Sequence, residues 1–135
     1  MPHISAILLA LVLSSAMAPA VLAGTPVSPV ELASLLERSH GQRPLVLDVR
    51  TPEEYAAGHV PGAILIPHDQ LEMRLDALDR DRPIVVYCRS GRRSALAETL
   101  LRQRGHEVSQ LQGSWQGWQA AGLEQQTPAQ ADSSP

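Results

Sequence analysis

The chain has 135 residues, a net charge of -3 from 11 basic and 14 acidic side chains, and a single cysteine. That length holds one domain around one core. A pI of about 5.9 excludes a general affinity for nucleic acid or anionic lipid, so positive charge can act only as a local patch, and one cysteine cannot close a disulfide within the chain.

Residues 1–23 contain no Asp, Glu, Lys or Arg, carry an apolar run from Ile4 to Leu13, and end in Val21-Leu22-Ala23 before Gly24. This is the form of an export leader with a small-residue cleavage site after Ala23, and the run is too short to cross a bilayer. The expectation is a leader over 1–23, a domain over 24–123, a periplasmic location and no stable membrane association once the leader is removed. Ser28-Pro29-Val30-Glu31 reads as a capping box with proline at the first helical position, and Leu32, Leu35 and Leu36 continue it at helical spacing. Gly41 is expected to close that helix.

Leu45 to Val49, "LVLDV", is a short apolar run bounded by Pro44 and Thr51-Pro52, and reads as a buried strand. Thr51-Pro52-Glu53-Glu54 is a second capping box, opening a short helix that stops at Gly58. Ala63 to Pro67 reads as a second buried strand, and Leu71, Leu75 and Leu78 mark the apolar face of a helix after it. Pro83 to Cys88 is a third strand, followed by a helix from about Arg92 to Arg104 that Gly105 stops. A weak strand over Val108 to Leu111 precedes a short helix anchored by Trp115 and Trp118, and the tail over 124–135 is too poor in apolar residues to be expected to fold.

Strands that alternate with helices and are apolar on both faces predict an α/β fold, a parallel sheet covered on both sides. Ligands of such sheets bind beyond the carboxyl ends of the strands. Cys88 stands at such an end, just before a helix, with Arg89, Arg92 and Arg93 around it.

Between Cys88 and the helix lie only Arg89, Ser90 and Gly91. So tight a turn folds its N–H groups inward, toward a helix start whose first N–H groups are themselves unpaired, and such a concavity binds anions. The same donors favour thiolate over thiol, and the thiolate is the nucleophile. Each residue also has a plainer role: Cys88 as a small buried hydrophobe, Gly91 only to turn the chain, Ser90 only as a cap, the arginines as a solvated face. A thiolate in an anion cradle can attack phosphorus in a phosphate ester, or take the outer sulfur of a small sulfur anion and keep it as a persulfide.

Three stretches resemble the rhodanese-like sulfurtransferases: "LVLDVRTPEEYAAGHVPGAILIP", the loop "CRSGRRS", and "GSWQGWQAAG", which departs from the usual glycine pair in having Gly113-Ser114. The resemblance implies a three-layer α/β/α fold with a central parallel sheet and Cys88 as catalytic sulfur acceptor. The N–H groups of Arg89, Ser90, Gly91, Arg92 and Arg93 would bind the persulfide and the leaving anion. Related phosphatases of this fold use a longer loop with arginine six positions after the nucleophile; here that position is Ser94, and arsenate reduction is disfavoured with phosphatase chemistry. Among the matched residues, Arg50 is placed to hold an incoming anion and Asp48 to brace a loop arginine, or else the two form a structural ion pair. Glu54 either pairs with Arg93 or only completes its capping box, and His59 is expected to bond its local turn, supporting the site without acting as a base.

The reading is a monomeric thiosulfate sulfurtransferase that passes sulfur through a Cys88 persulfide to cyanide or a thiol. It needs no cofactor, and His3, His40, His59, His68 and His106 lack zinc-ligand spacing. The alternatives are a periplasmic persulfide carrier serving a protein partner and, less well supported, a catalytically silent interaction domain.

Overall fold

A computed structural model describes residues 24–131; the leader and cleavage site expected over 1–23, and the last residues of the tail, 132–135, lie outside the described residues. Its strands are β1 (Leu45–Asp48), β2 (Ile64–Leu65), β3 (Ile84–Tyr87) and β4 (Val108–Gln110). Its helices are α1 (Pro29–Leu36), α2 (Pro52–Ala57), α3 (Arg92–Gln103), α4 (Ser114–Ala120) and a short α5 (Pro128–Ala131). All strand pairs are parallel, in the order β2-β1-β3-β4. Residues 24–27 cover the free edge of β4, where Val27 donates its N–H to Gln110 at 2.8 Å and accepts from Gln112 at 2.8 Å.

Because side chains alternate across a strand, each strand feeds two cores. Leu45 and Leu47 of β1 and Val49 just beyond it join Ile84, Val86 and Cys88 on one face, under Leu71, Leu75, Leu78, Ala97 and Leu101. Val46, Val85 and Tyr87 point the other way, against Leu32 of α1, Val60, Trp115 and Trp118. Helices therefore cover both faces, giving the three-layer α/β/α arrangement, and full burial of each such side chain contributes roughly 1.5–3 kcal/mol. Asp48 lies opposite Tyr87 in register, so β1 and β3 end together and deliver Arg50 and Cys88 to one edge.

Both capping boxes form, with Ser28 and Thr51 as N-caps closed by Glu31 and Glu54. Four expectations need correction. Gly41 does not end the first helix, which stops at Leu36 with Glu37 as C-cap; the polar residues beyond have no apolar stripe to bury, and Gly41 lies in a separate 3-10 turn, His40–Gln42. The strand expected over Ala63 to Pro67 is only Ile64–Leu65, and it is an edge strand with Ile64 37 % exposed. The helix after it is a 3-10 segment, Glu72–Ala77, in which bonds such as Arg74 N–H to Leu71 C=O draw Leu71, Leu75 and Leu78 onto the sheet.

The tail expected to be unstructured is ordered through residue 131. Gln126 exchanges backbone bonds with His59 at 2.9 Å each way and accepts the Gly62 N–H on its side chain, while Trp118 Nε1 donates to the Glu124 carbonyl at 2.9 Å. These bonds are made mostly by backbone groups, so an apolar count does not reveal them.

α4 packs so closely on the turn before it that a Cβ on Gly117 would lie 2.5 Å from the Gln112 carbonyl oxygen. Gly117→Ala is therefore expected to cost about 1–3 kcal/mol, read as a lower urea midpoint at unchanged slope; an unchanged midpoint would show that α4 can shift without cost.

Candidate active site

The end of β3 is gripped by the start of α4. Cys88 donates its N–H to Ser114 Oγ at 3.3 Å and accepts the Trp115 N–H on its carbonyl at 2.9 Å, and the Arg89 carbonyl accepts from Gln116 N–H at 3.1 Å. Among the described residues Ser114 is the one non-glycine at positive φ, +53°, a conformation that aims its hydroxyl at Cys88.

From that anchor the chain turns back over the sulfur. Gly91, at φ +116°, adopts a conformation few side chains tolerate, and its N–H donates to Cys88 Sγ at 3.0 Å. Ser94, in the first turn of α3, lies 3.4 Å from the sulfur through Oγ and donates its own proton to the Gly91 carbonyl at 3.1 Å. The first N–H groups of α3 have no partner within the helix, and they face the same concavity as its positive end. Cys88 itself is only 1 % exposed. Burial pushes its thiol up, yet the Ser94 hydroxyl and the backbone N–H groups of Ser94, Gly91 and Ser90 outweigh burial and bring it below the ordinary cysteine value. The largest lowering contributions are hydrogen bonds, not the arginine charges that the sequence makes conspicuous.

The arginines divide into two kinds. Arg93 forms a fork to Glu54, 2.7 and 3.0 Å, and Glu54 also accepts the Thr51 N–H at 3.3 Å, so it serves both of the roles open to it. The Arg93 hydrogen bond, despite some opposing burial, holds the Glu54 carboxyl at about 2. Arg50 is likewise committed. Its Nε and Nη2 reach the Asp48 carboxylate at 3.0 and 2.7 Å, and Nη2 also reaches the Gly58 carbonyl at 2.7 Å. The Tyr87 hydroxyl donates to Asp48 at 2.6 Å and accepts the Val60 N–H at 3.1 Å. Asp48 thus braces Arg50 and no loop arginine. Of the two readings open to Arg50 and Asp48, the structure shows the ion pair, which engages Nε and Nη2 of Arg50, and the same side chain also lines the pocket beside the loop.

His59 bonds its local turn as expected, with Nδ1 2.8 Å from the Tyr55 carbonyl and its ring stacked on Tyr55 at 3.6 Å. Arg89 and Arg92 are exposed, and no salt bridge among the described residues engages either. Arg89 lines a chamber of about 330 Å³ beside the loop, together with Arg50, Glu54, Trp115, Gln116 and Gln119.

The expected residues that gather on the sulfur are Ser90, Gly91 and the start of α3; Asp48, Arg50, Glu54 and Arg93 form the frame around it, and His59 stands apart. Ser94 and Ser114 are the residues that sequence reasoning passed over. Ser94 could have been found from its place in the first helical turn, six residues after the cysteine. Nothing marks Ser114 except that it stands where a glycine is usual.

A hydroxyl has one proton, so the Ser94 proton that lies on Gly91 while the thiol is protonated is free to turn to the sulfur when it ionises. Ser94→Ala should therefore move the pH profile of Cys88 alkylation by iodoacetamide to higher pH, with the same plateau rate per thiolate. An unshifted profile would assign the thiolate's stabilisation to the backbone alone.

Comparison with known proteins agrees with this geometry. Residues 28–121 match the Rhodanese-like domain family. A sulfurtransferase of Allochromatium vinosum is 36 % identical over 99 residues, covering 72 % of this chain and 92 % of that protein. A helix-turn-helix-type transcriptional regulator of Mycobacterium tuberculosis is 41 % identical over 110 residues, 80 % of this chain; the chain spans about half, 49 %, of the regulator's length. The crystal structure of a rhodanese-related protein from Thermoplasma volcanium superposes with a TM-score of 0.68 at 29 % identity, covering 76 % of this chain and 97 % of that one. With the sheet order, the cysteine loop and the match over 28–121 in agreement, the chain belongs to the rhodanese-like domain family.

Proposed function

We propose that this protein is a sulfurtransferase that draws sulfur from thiosulfate or a similar donor and works in the periplasm as a monomer. Sulfur transfer as such is supported by the family and by the Allochromatium sulfurtransferase. The observation that carries the finer reading is the Gly91 N–H 3.0 Å from the sulfur of a buried cysteine, in a turn where the backbone N–H groups of Ser90 and Ser94 act on the same sulfur. The Cys88 thiolate attacks the outer sulfur of thiosulfate; the bond between the two donor sulfurs breaks, and sulfite leaves with its electron pair. Cyanide or a thiolate then attacks the outer sulfur of the Cys88 persulfide, and the Cys88 thiolate departs, restored. The thiolate is already formed, so no general base is required.

The cradle discriminates by size. The sulfur of a cysteine that is 1 % exposed can be reached by a terminal atom far more readily than by phosphorus carrying an organic group. Phosphoryl transfer also calls for an arginine clamp, whereas the loop's Arg93 is forked to Glu54 and Ser94 stands at the sixth position.

The test is the intact mass of the protein after incubation with thiosulfate and again after cyanide. Wild type should gain the mass of one sulfur atom and lose it to cyanide as thiocyanate, while Cys88→Ser gains nothing. A folded wild type that takes up no sulfur, or a Cys88→Ser variant that still turns over, would overturn the assignment.

A further inference from the structure

The match to the family domain ends at residue 121, but the fold of this chain runs on past that point to α5. Leu123 packs against the core cluster that holds Trp115 and Trp118, and the next residues are bonded on two sides. On one side the Glu124 carbonyl accepts the Trp118 Nε1 proton at 2.9 Å, which ties the segment to α4. On the other, Gln126 exchanges backbone bonds with His59 at 2.9 Å each way, and its Oε1 accepts the Gly62 N–H at 2.9 Å. Residues 123–126 therefore strap α4 to the loop over 58–62.

That loop reaches into the site. Its Gly58 carbonyl accepts from Arg50 Nη2 at 2.7 Å, and its Val60 N–H donates to the hydroxyl of Tyr87, the residue before Cys88, at 3.1 Å. Ala57 and Gly58 line the chamber beside the cysteine loop together with Arg50, while Trp115, Gln116 and Gln119 line it from α4. The two linings are thus the two ends of the strap. A Cβ on Gly58 would lie 3.1 Å from Gln125 Oε1 and 3.3 Å from the Trp115 ring, so strap, loop and α4 meet where the linings join.

We infer that residues 123–126 are a clasp that holds the two walls of the chamber at their working distance, with Gln126 as its positioning residue. Gln126 acts through Gly58 and Arg50 and touches no reacting atom. This rests on the thiosulfate loading of Cys88 proposed for the same site. The sulfur takes its hydrogen bonds from Gly91 and Ser94, outside the strapped loop, so loss of the clasp should leave the thiolate unchanged. What loosens is the wall past which a donor anion must be aligned, and misplacement of that kind slows reaction steeply.

The experiment therefore compares two reagents on the same sulfur in the full-length protein. Loading by thiosulfate at low concentration is timed by mass, and alkylation by the small neutral iodoacetamide reports the thiolate itself. Gln126→Leu deletes the acceptor of the Gly62 N–H, Gln126→Glu keeps a carboxylate oxygen in its place, and Gln126→Pro also removes the N–H given to His59. Loading should fall about threefold in Gln126→Leu and at least about tenfold in Gln126→Pro, and stay within about twofold of wild type in Gln126→Glu. The rate and pH profile of alkylation should not move in any of them. Ser28→Ala, which removes the cap of α1 far from the strap, is the control for lost stability and should load as wild type does.

Unchanged loading in Gln126→Leu and Gln126→Pro would overturn the clasp. So would an equal loss in Ser28→Ala, which would make the effect one of stability alone, or a moved alkylation profile, which would place it on the thiolate. Failure of wild type to load at all would instead overturn the sulfur-transfer proposal.

Discussion

A buried guanidinium is tolerable only when its charge is answered, and Asp48 answers that of Arg50 through Nε and Nη2, in a cluster that draws several elements together. Asp48 ends β1, Tyr87 ends β3 and hydrogen-bonds it, and Val60 and Gly58 bring in the loop after α2. The Trp115 ring of α4 lies 4.7 Å from the guanidinium, and Tyr87 5.4 Å. The cluster adjoins Cys88 in sequence through Tyr87 and in space through Trp115. Burial and the Asp48 carboxylate keep the Tyr87 hydroxyl neutral as a donor, well above the ordinary tyrosine value. The pair is better understood as the frame of the site than as part of its chemistry, since loss of one partner would leave a buried charge unanswered.

On that frame the loop can be short. Ser114 and Trp115 hold the two sides of the Cys88 backbone, so the turn through Gly91 starts from a fixed point and its N–H groups need no further restraint to meet the sulfur. Preorganised donors of this kind stabilise charge on the sulfur without reorganising during reaction. The Arg93–Glu54 fork ties the first turn of α3 to α2, so the helix start and the loop after β1 move together. Arg89 is left to face solvent and the chamber, where a charge can act on a visiting molecule.

Much of this was legible because it rests on local rules. Capping boxes and proline at the first helical position locate the starts of α1 and α2, glycine beyond the last turn locates the ends of α2 and α3, and the apolar runs of Leu45 to Val49 and Pro83 to Cys88 hold the two central strands. Edge strands lack that signal, since Ile64 faces solvent and only its backbone pairs with β1. Gln126 docks through its backbone and one amide, which composition cannot register. In the site, the lone cysteine and its glycine were conspicuous, but the partners of Asp48 and the work of Ser94 and Ser114 depend on side-chain directions set by packing. For Arg50 and Arg93 the sequence left pairing as one of two readings, since it shows their charge but not the side-chain directions that pair them with Asp48 and Glu54.

The account stands on the sulfur being held by the loop's own N–H groups, and a crystal structure of the thiosulfate-loaded protein tests this most directly. The account predicts density for one extra sulfur on Cys88 Sγ, within hydrogen-bond reach of the N–H groups between Ser90 and Ser94, with the Arg93–Glu54 and Arg50–Asp48 pairs intact. A persulfide turned away from the loop, or held by a displaced arginine side chain in place of the backbone, would contradict it.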